Sequence, residues 1–157
     1  MNKLVQVIYV SSVAPDITEH DTLKFLKQAR TANRKHDVSG MMLYIDGWFL
    51  QLLEGHGAMV DVVCSTIFRD KREMRMILRE FIAEREFPDW TMGFEAVKPA
   101  EACRLLGKPQ LFDSVATFAD MDPDSAKSLL SIIGRRRWQA DRSGMFHAIR
   151  ATGSREF

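Results

Sequence analysis

The segment that most constrains the fold of this chain is residues 49–55, with the sequence FLQLLEG. Side chains of a β-strand alternate between two faces, and apolar residues occupy both faces of this segment. It is therefore predicted to be a central strand that is covered on both sides. Gln51 is the exception, because each unpaired polar group of a buried amide costs on the order of 1–3 kcal/mol. Gln51 is either a core amide that bonds to neighbouring backbone or a residue that faces the polar edge of a planar ligand.

The dipeptide Asp46-Gly47 predicts a β-hairpin that leads into this strand. Such a dipeptide between apolar runs favours a two-residue type I′ turn, in which both central residues have positive φ. The turn pairs residues 39–45 antiparallel with residues 48–54. Counting outward from the turn places Met42 opposite Gln51.

The remaining elements of the first 97 residues follow from local signals. Thr18 and Asp21 have the spacing of a capping box, which starts a helix. The other segments show strand-like alternation or a helical stripe of apolar residues. The predicted elements are strands at 4–11, 39–45, 48–54, 74–83 and 90–97, with helices that end at about Asn33 and Arg69. This βαββαββ order is that of a ferredoxin-like α+β sandwich with a five-stranded mixed sheet and both helices on one face.

The second face of such a sheet needs a cover, and residues 98–143 are predicted to provide it. A short helix is expected near residues 100–106, and a longer one from Asp122 or Pro123 to Arg142. The longer helix has an apolar stripe formed by Leu129, Leu130 and Ile133. Residues 1–97 are thus one domain and 98–143 its helical extension, while 144–157 form a tail whose last five residues resemble a vector-derived end.

Composition and motif content exclude several classes of function. The net charge of +1 gives no global field for nucleic acid or an anionic membrane. The two cysteines lie far apart, which suits a reducing compartment, and no signal-peptide layout or long apolar stretch is visible; a cytoplasmic protein without a membrane anchor is expected. The four histidines show no metal spacing, and no phosphate-binding loop or nucleophile motif occurs. Nothing in the sequence favours hydrolysis, phosphoryl transfer or metal catalysis.

Four polar residues are predicted to converge on one side of the sheet. Tyr9 and Gln51 lie on strands among apolar neighbours, and Asn33 and Asp70 end the two helices. Each has a simple structural explanation: a core tyrosine, a core amide, a helix C-cap and a surface carboxylate. Together they are typical of a site for a flat heteroaromatic ligand between two helices and a sheet.

At this point the sequence resembles a known family, the BLUF domain, a blue-light sensor that uses FAD. The resemblance covers roughly residues 3 to 97 and rests on motifs in the family's order and spacing. These motifs are Ile8-Tyr9-Val10-Ser11, Asn33 seven residues before Gly40, Asp46-Gly47-x-Phe49-Leu50-Gln51-x-Leu53-Glu54-Gly55, Asp70, and Trp90-Thr91-Met92-Gly93-Phe94.

The resemblance implies a flavin between the two helices, with FAD as the expected form and FMN or riboflavin as substitutes. Asn33 would bind the carbonyl edge of the ring, and Asp70 would hold the flavin or its ribityl side. Tyr9 and Gln51 would be the photoactive pair, and Trp90 and Met92, on the last strand, would relay the signal. The full set of implied cofactor-binding residues is Tyr9, Phe25, Arg30, Asn33, Phe49, Gln51, Ile67, Asp70 and Arg72.

The resemblance also implies a mechanism and a mode of output. In the family, the excited flavin takes an electron and then a proton from the tyrosine, and the glutamine ends rotated or tautomerised, which produces a red-shifted state. The chain would be a photosensor without enzymatic activity that signals through its C-terminal helices to a partner protein, and it would self-associate. Two alternatives stay open: a small flavin-dependent redox enzyme, and a cofactor-free interaction module in which Tyr9 and Gln51 satisfy each other.

Overall fold

The protein is described here from a computed structural model, which defines residues 3–12, 16–68, 74–111 and 120–142. Its elements follow the predicted βαββαββ order and continue with two helices. They are β1 (Leu4–Ser12), α1 (Glu19–Lys35), β2 (Ser39–Ile45), β3 (Trp48–His56), α2 (Gly57–Phe68), β4 (Met74–Phe81), β5 (Gly93–Ala96), α3 (Pro99–Leu106) and α4 (Pro123–Arg142). Among the described residues, no helix is long and apolar enough to cross a membrane.

The five strands form one mixed sheet in the order β4-β1-β3-β2-β5. Strand β1 pairs antiparallel with β3 and β4, and β2 pairs antiparallel with β3. The short β5 runs parallel to its neighbour β2. Strand β3, which contains residues 49–55, is the middle strand of the sheet, so its predicted central position is confirmed.

The β2–β3 hairpin has the predicted turn and register. Asp46 and Gly47 both have positive φ, 44° and 87°, as a type I′ turn requires. Ile45 pairs with Trp48 next to the turn, and Met42 lies opposite Gln51. A slip of one residue would exchange the two faces of β3, so this turn fixes which side chains reach each layer.

Helices cover both faces of the sheet, and each face has its own apolar core. The first core packs α1 and α2 against the sheet through Val5, Val7, Tyr9, Leu26, Val38, Met42, Phe49, Leu53, Val60, Val63, Cys64, Ile67 and Met92. The second core includes Ile8, Leu43, Leu50, Leu52, Ala102, Leu129, Leu130 and Ile133, and it joins α3 and α4 to the opposite face. The extension therefore covers the second face, as its apolar stripe predicted.

Local caps define where two of the helices begin. The Thr18 hydroxyl accepts the backbone N–H of Asp21, and the Asp21 carboxylate accepts the N–H of Thr18, both at 3.1 Å. The Asp122 carboxylate accepts the backbone N–H of Ser125 at 2.9 Å, so Asp122 caps α4 and Pro123 is its first residue. Both caps were readable from the sequence because they depend on residues three positions apart.

The last strand is shorter than expected, and Trp90 and Met92 precede it instead of lying on it. Strand β5 covers only Gly93–Ala96, where the predicted strand covered 90–97. Side chains of α1 bind the backbone just before it: Asn33 Nδ2 donates to the Thr91 carbonyl at 2.5 Å, and Arg30 Nε donates to the Met92 carbonyl at 2.9 Å. These contacts fix residues 91 and 92 just before the β2–β5 ladder, which starts at the Met41–Gly93 pair, so the predicted strand began three residues too early.

Candidate functional site

The centre of the candidate site is a hydrogen bond between Tyr9 and Gln51. The two residues are directly opposite each other in the β1–β3 register, and both belong to the side of the sheet that α1 and α2 cover. The Tyr9 hydroxyl donates to Gln51 Oε1. Tyr9 is fully buried and Gln51 is 1% exposed, so this polar pair is enclosed within an apolar core.

Burial makes the Tyr9 hydroxyl still harder to ionise than an exposed tyrosine. It raises the pKa of the Tyr9 hydroxyl well above its usual value, and the nearby Cys64 thiol adds a smaller effect in the same direction. A raised pKa keeps the phenol protonated at neutral pH. Tyr9 is therefore a proton-carrying donor to Gln51.

The other end of the Gln51 amide faces Met92. Gln51 Nε2 lies 3.8 Å from the Met92 sulfur, which is a weak acceptor. Trp90 packs instead with the core under α3 and α4, where its ring stacks on Phe87 at 5.9 Å. Met92, and not Trp90, is thus the neighbour of Gln51 in this structure.

Asn33 and Arg30 connect α1 to the segment before β5. The Arg30 guanidinium donates to the Met92 carbonyl from Nε at 2.9 Å and from Nη2 at 2.6 Å. Asn33 donates to Thr91 through Nδ2, while its Oδ1 is buried and has no hydrogen-bond partner among the described residues. The C-cap of α1 is His36. The alternative explanation of Asn33 as a helix C-cap is therefore wrong.

Aromatic rings form an apolar wall beside the pair. Phe25 of α1 and Phe49 of β3 stack with ring centroids 5.5 Å apart and planes within 7°. Tyr44 meets the edge of Phe49 at 5.6 Å, and Ile67 of α2 is buried in the same core. The implied cofactor residues Asp70 and Arg72 lie outside the described residues.

The unpaired polar atoms of this layer fit a planar ligand with hydrogen-bonding edges. Asn33 Oδ1 is an acceptor without a donor, and Ser11 Oγ is a second buried atom without a partner among the described residues. Strand alternation places Ser11 on the same face as Tyr9, so the sequence alone could have predicted Ser11 as a site residue. An N–H donor on the edge of a flavin would donate a hydrogen bond to Asn33 Oδ1, so the residues present are compatible with a flavin.

Glu54 is a second residue whose importance the sequence reasoning missed. It has no exposed surface, and its carboxylate accepts the backbone N–H groups of Glu86 and Phe87 at 2.8–3.0 Å and the Gln6 amide at 3.1 Å. A charged residue inside an apolar strand was the available signal. Glu54 lies on the face opposite Gln51, three positions along β3.

The fold and this site define a small α+β domain with a buried tyrosine–glutamine pair beside an aromatic wall. The model of the BLUF family, described as sensors of blue light using FAD, matches residues 4–93, more than half of the chain. The chain belongs to the BLUF family, whose domains are flavin-binding photosensors and not enzymes. Among the described residues, no cluster of His, Cys, Asp and Glu could hold a metal ion.

Solved structures of BLUF proteins and of a light-regulated cyclase share the fold. The dark-state structure of the BLUF protein BlrB is 25% identical, with a TM-score of 0.62, and the alignment covers 82% of this chain and 97% of BlrB. The photo-activated state of BlsA is 20% identical with a TM-score of 0.69, covering 81% and 91%. A bacterial light-regulated adenylyl cyclase is 21% identical with a TM-score of 0.56, covering 88% of this chain and 36% of the cyclase. Comparison with curated proteins finds no match.

Proposed function

We propose that this BLUF domain responds to blue light through Tyr9 and Gln51, acting as the photoactive pair beside a flavin between α1 and α2. The observation that carries the proposal is the buried hydrogen bond from the Tyr9 hydroxyl to Gln51 Oε1. A bound flavin supplies light absorption and an acceptor for an electron and a proton. Tyr9 would be the donor of both, because its hydroxyl is buried, protonated and hydrogen-bonded to Gln51.

Gln51 is the residue whose side-chain amide would reorient after light absorption. An amide has a donor end and an acceptor end of nearly the same shape, so rotation exchanges them with little steric change. Rotation would turn Nε2 towards Tyr9 and Oε1 towards Met92, whose sulfur cannot donate. After rotation, Gln51 Oε1 would need a hydrogen-bond donor that Met92 does not provide. The edge of a bound ligand would fill that role.

FAD is the proposed cofactor, with FMN and riboflavin as the alternatives to be compared. Asn33 would hold the ring through Oδ1, the buried acceptor without a donor, while Phe25, Phe49 and Ile67 would provide its apolar surroundings. Arg30 would act indirectly, by fixing the Met92 carbonyl beside the pair. Asp70 and Arg72 are proposed from the family resemblance alone.

The proposed output is a change in the binding of a partner protein through the C-terminal helices, in a chain that also self-associates. Met92 contacts Gln51, and two positions earlier Trp90 lies 6.0 Å from the Arg137 guanidinium of α4. Arg137 also donates to the Phe94 carbonyl of β5. These contacts offer a continuous path from the amide to α4.

An absorption spectrum of the purified protein tests the proposal, recorded in the dark and again just after blue illumination. A structured flavin band that moves to longer wavelength and relaxes in the dark is the expected result. A band that bleaches with NAD(P)H would favour a redox enzyme. A colourless protein that takes up no added flavin would leave a cofactor-free module.

A further inference from the structure

A cleft of about 340 Å³ lies on the far side of the sheet from the flavin site. Its walls are residues 84–90, which belong to the loop between β4 and β5, and Gly134 and Arg135 of α4. The cleft therefore lies at the point where the segment that carries Trp90 meets the C-terminal helices. None of its lining residues belongs to the proposed flavin site.

The floor of the cleft is held in place from three directions. The Glu54 carboxylate, on β3, accepts the backbone N–H groups of Glu86 and Phe87. The Phe87 ring stacks on Trp90 with planes within 10°. A Cβ atom added to Gly134 would lie 2.3 Å from the Phe87 ring, so the helix can approach this closely only through a glycine. The cleft is thus preformed, which lowers the cost of binding.

One carboxylate of the cleft, on the 21% exposed side chain of Glu86, has an oxygen without a hydrogen-bond donor. Glu86 Oε1 is buried and has no hydrogen-bond partner among the described residues. Arg135 is the cation that faces it; its Nη2 is 3.9 Å away, outside hydrogen-bond distance, on a side chain that is 75% exposed. Arg85 is engaged elsewhere, with Ser39 Oγ at 3.0 Å and the Asp37 carbonyl at 2.7 Å. Two further carboxylates, Glu84 and Asp89, also line the cleft.

We propose that this cleft docks an arginine side chain presented by a partner protein. A guanidinium is a planar fork of donors that matches a carboxylate, and its alkyl stem can lie along apolar surface such as Pro88 and the edge of Trp90. Arg135 supports the choice of a guanidinium, because its own guanidinium lies near Glu86 without forming a hydrogen bond. The site goes beyond light sensing; only its dependence on light rests on the proposed function.

The test uses two probes of the same shape, N-acetyl-arginine methylamide and its neutral counterpart N-acetyl-citrulline methylamide. Both are titrated into the ¹⁵N-labelled full chain in the dark, while the backbone amides of Glu86 and Phe87 and the Trp90 indole N–H are followed by NMR. Saturable shifts in the millimolar range are expected for the arginine probe, the strength typical of a single side chain. Equal shifts from both probes, or none from the arginine probe, would overturn the proposal.

Three variants make the test specific, because two of them remove a carboxylate charge and one removes a guanidinium charge. Glu86→Gln should weaken the arginine probe by about two- to fivefold, the range expected for losing a partly exposed ion pair. Arg135→Gln should strengthen it, because the competing guanidinium is removed. Glu19→Gln removes an exposed carboxylate on α1 and should change nothing. A Glu86→Gln variant that binds like Glu19→Gln would refute docking on Glu86.

Repeating the titration under continuous blue light separates this proposal from the proposed function. A red-shifted absorption band with a changed dissociation constant would show that the cleft responds to light. Failure of the photochemistry appears as an absent shift of the flavin band, and it leaves the dark titration unaffected. Failure of the docking site appears in the dark titration alone.

Discussion

At the scale of single residues, Tyr9 is expected to be indispensable for photochemistry and dispensable for flavin binding. Tyr9→Phe removes the hydroxyl that donates to Gln51 but keeps the ring that packs in the core. The variant should bind flavin and show no red-shifted state in absorption spectra after illumination. Tyr44→Phe is the matched control, since Tyr44 is the chain's only other tyrosine and should keep the photocycle. A normal photocycle in Tyr9→Phe would refute the role assigned to it.

Gln51→Leu distinguishes a signalling amide from a structural one. Leucine has a similar volume but can neither accept from Tyr9 nor reorient, so the variant should bind flavin without the spectral shift. Removing one partner of a buried hydrogen bond should also lower the free energy of unfolding by about 1–3 kcal/mol. Gln28→Leu, on the exposed surface of α1, controls for the substitution itself. A Gln51→Leu protein that is simply unfolded would instead support the core-amide explanation.

The raised pKa of Tyr9 predicts how stability depends on alkaline pH. Below pH 10, near the usual tyrosine pKa, the phenol is neutral in both the folded and the unfolded chain. Above that pH the unfolded chain loses the proton while the folded chain retains it, so the free energy of unfolding should fall as the pH rises. Urea unfolding between about pH 9 and 11 measures this. Tyr9→Phe should show a shallower decline, and identical slopes would contradict the assignment.

The residues of the site differ in how far the sequence revealed them. Strand alternation and the hairpin turn predicted the faces of Tyr9 and Gln51, because both signals are local. For Glu54 the sequence shows only a charge within an apolar strand, since its partners are backbone N–H groups more than thirty residues away. The buried acceptor of Asn33 was equally invisible, because periodicity indicates a face and not the bonds made there.

At the scale of elements, local signals predicted the helices and strands in the right order, most of them with ends within about two residues, and the start of β5 depends on long-range contacts. Caps and the Asp46-Gly47 turn act within four residues, and the structure has them as expected. The start of β5 depends instead on Arg30 and Asn33, about sixty residues earlier in the chain. No pattern within residues 90–97 reveals these long-range contacts.

The contact of α4 with the β4–β5 loop gives a prediction at this scale. Gly134→Ala should lower the free energy of unfolding despite the better helix propensity of alanine, which alone favours the helix by about 1 kcal/mol. The added methyl would meet the Phe87 ring at 2.3 Å, and such overpacking costs about 1–3 kcal/mol. Denaturant unfolding measures the change. In a double-mutant cycle with Phe87→Leu the two losses should not add, and full additivity would mean that the ring is not the obstacle.

At the scale of the whole molecule, the segment from Glu86 to Phe94 joins two layers that the sheet otherwise separates. On one side Met92 contacts Gln51, and on the other Phe87 and Trp90 pack against the C-terminal helices. The hydrogen bond from the Gly40 N–H to the Trp90 carbonyl ties the crossing point to the β2 edge. We therefore expect a change at the amide to reach α4 along this segment, without passing through the closely packed strands.

Glu54 offers a way to separate the light reaction from its transmission along this segment. Glu54→Gln places amide hydrogens against the N–H groups of Glu86 and Phe87, so one or more of those bonds should be lost at a cost of about 1–3 kcal/mol. Because Gln51 and Tyr9 lie on the opposite face, the red-shifted band should form normally. The light-induced change at the Trp90 indole, followed by NMR, should shrink or disappear. Glu84→Gln, an exposed carboxylate of the same loop, should leave both signals intact. A folded Glu54→Gln protein with an unchanged Trp90 response would mean that Met92 passes the change to β5 without help from the Glu54 anchor.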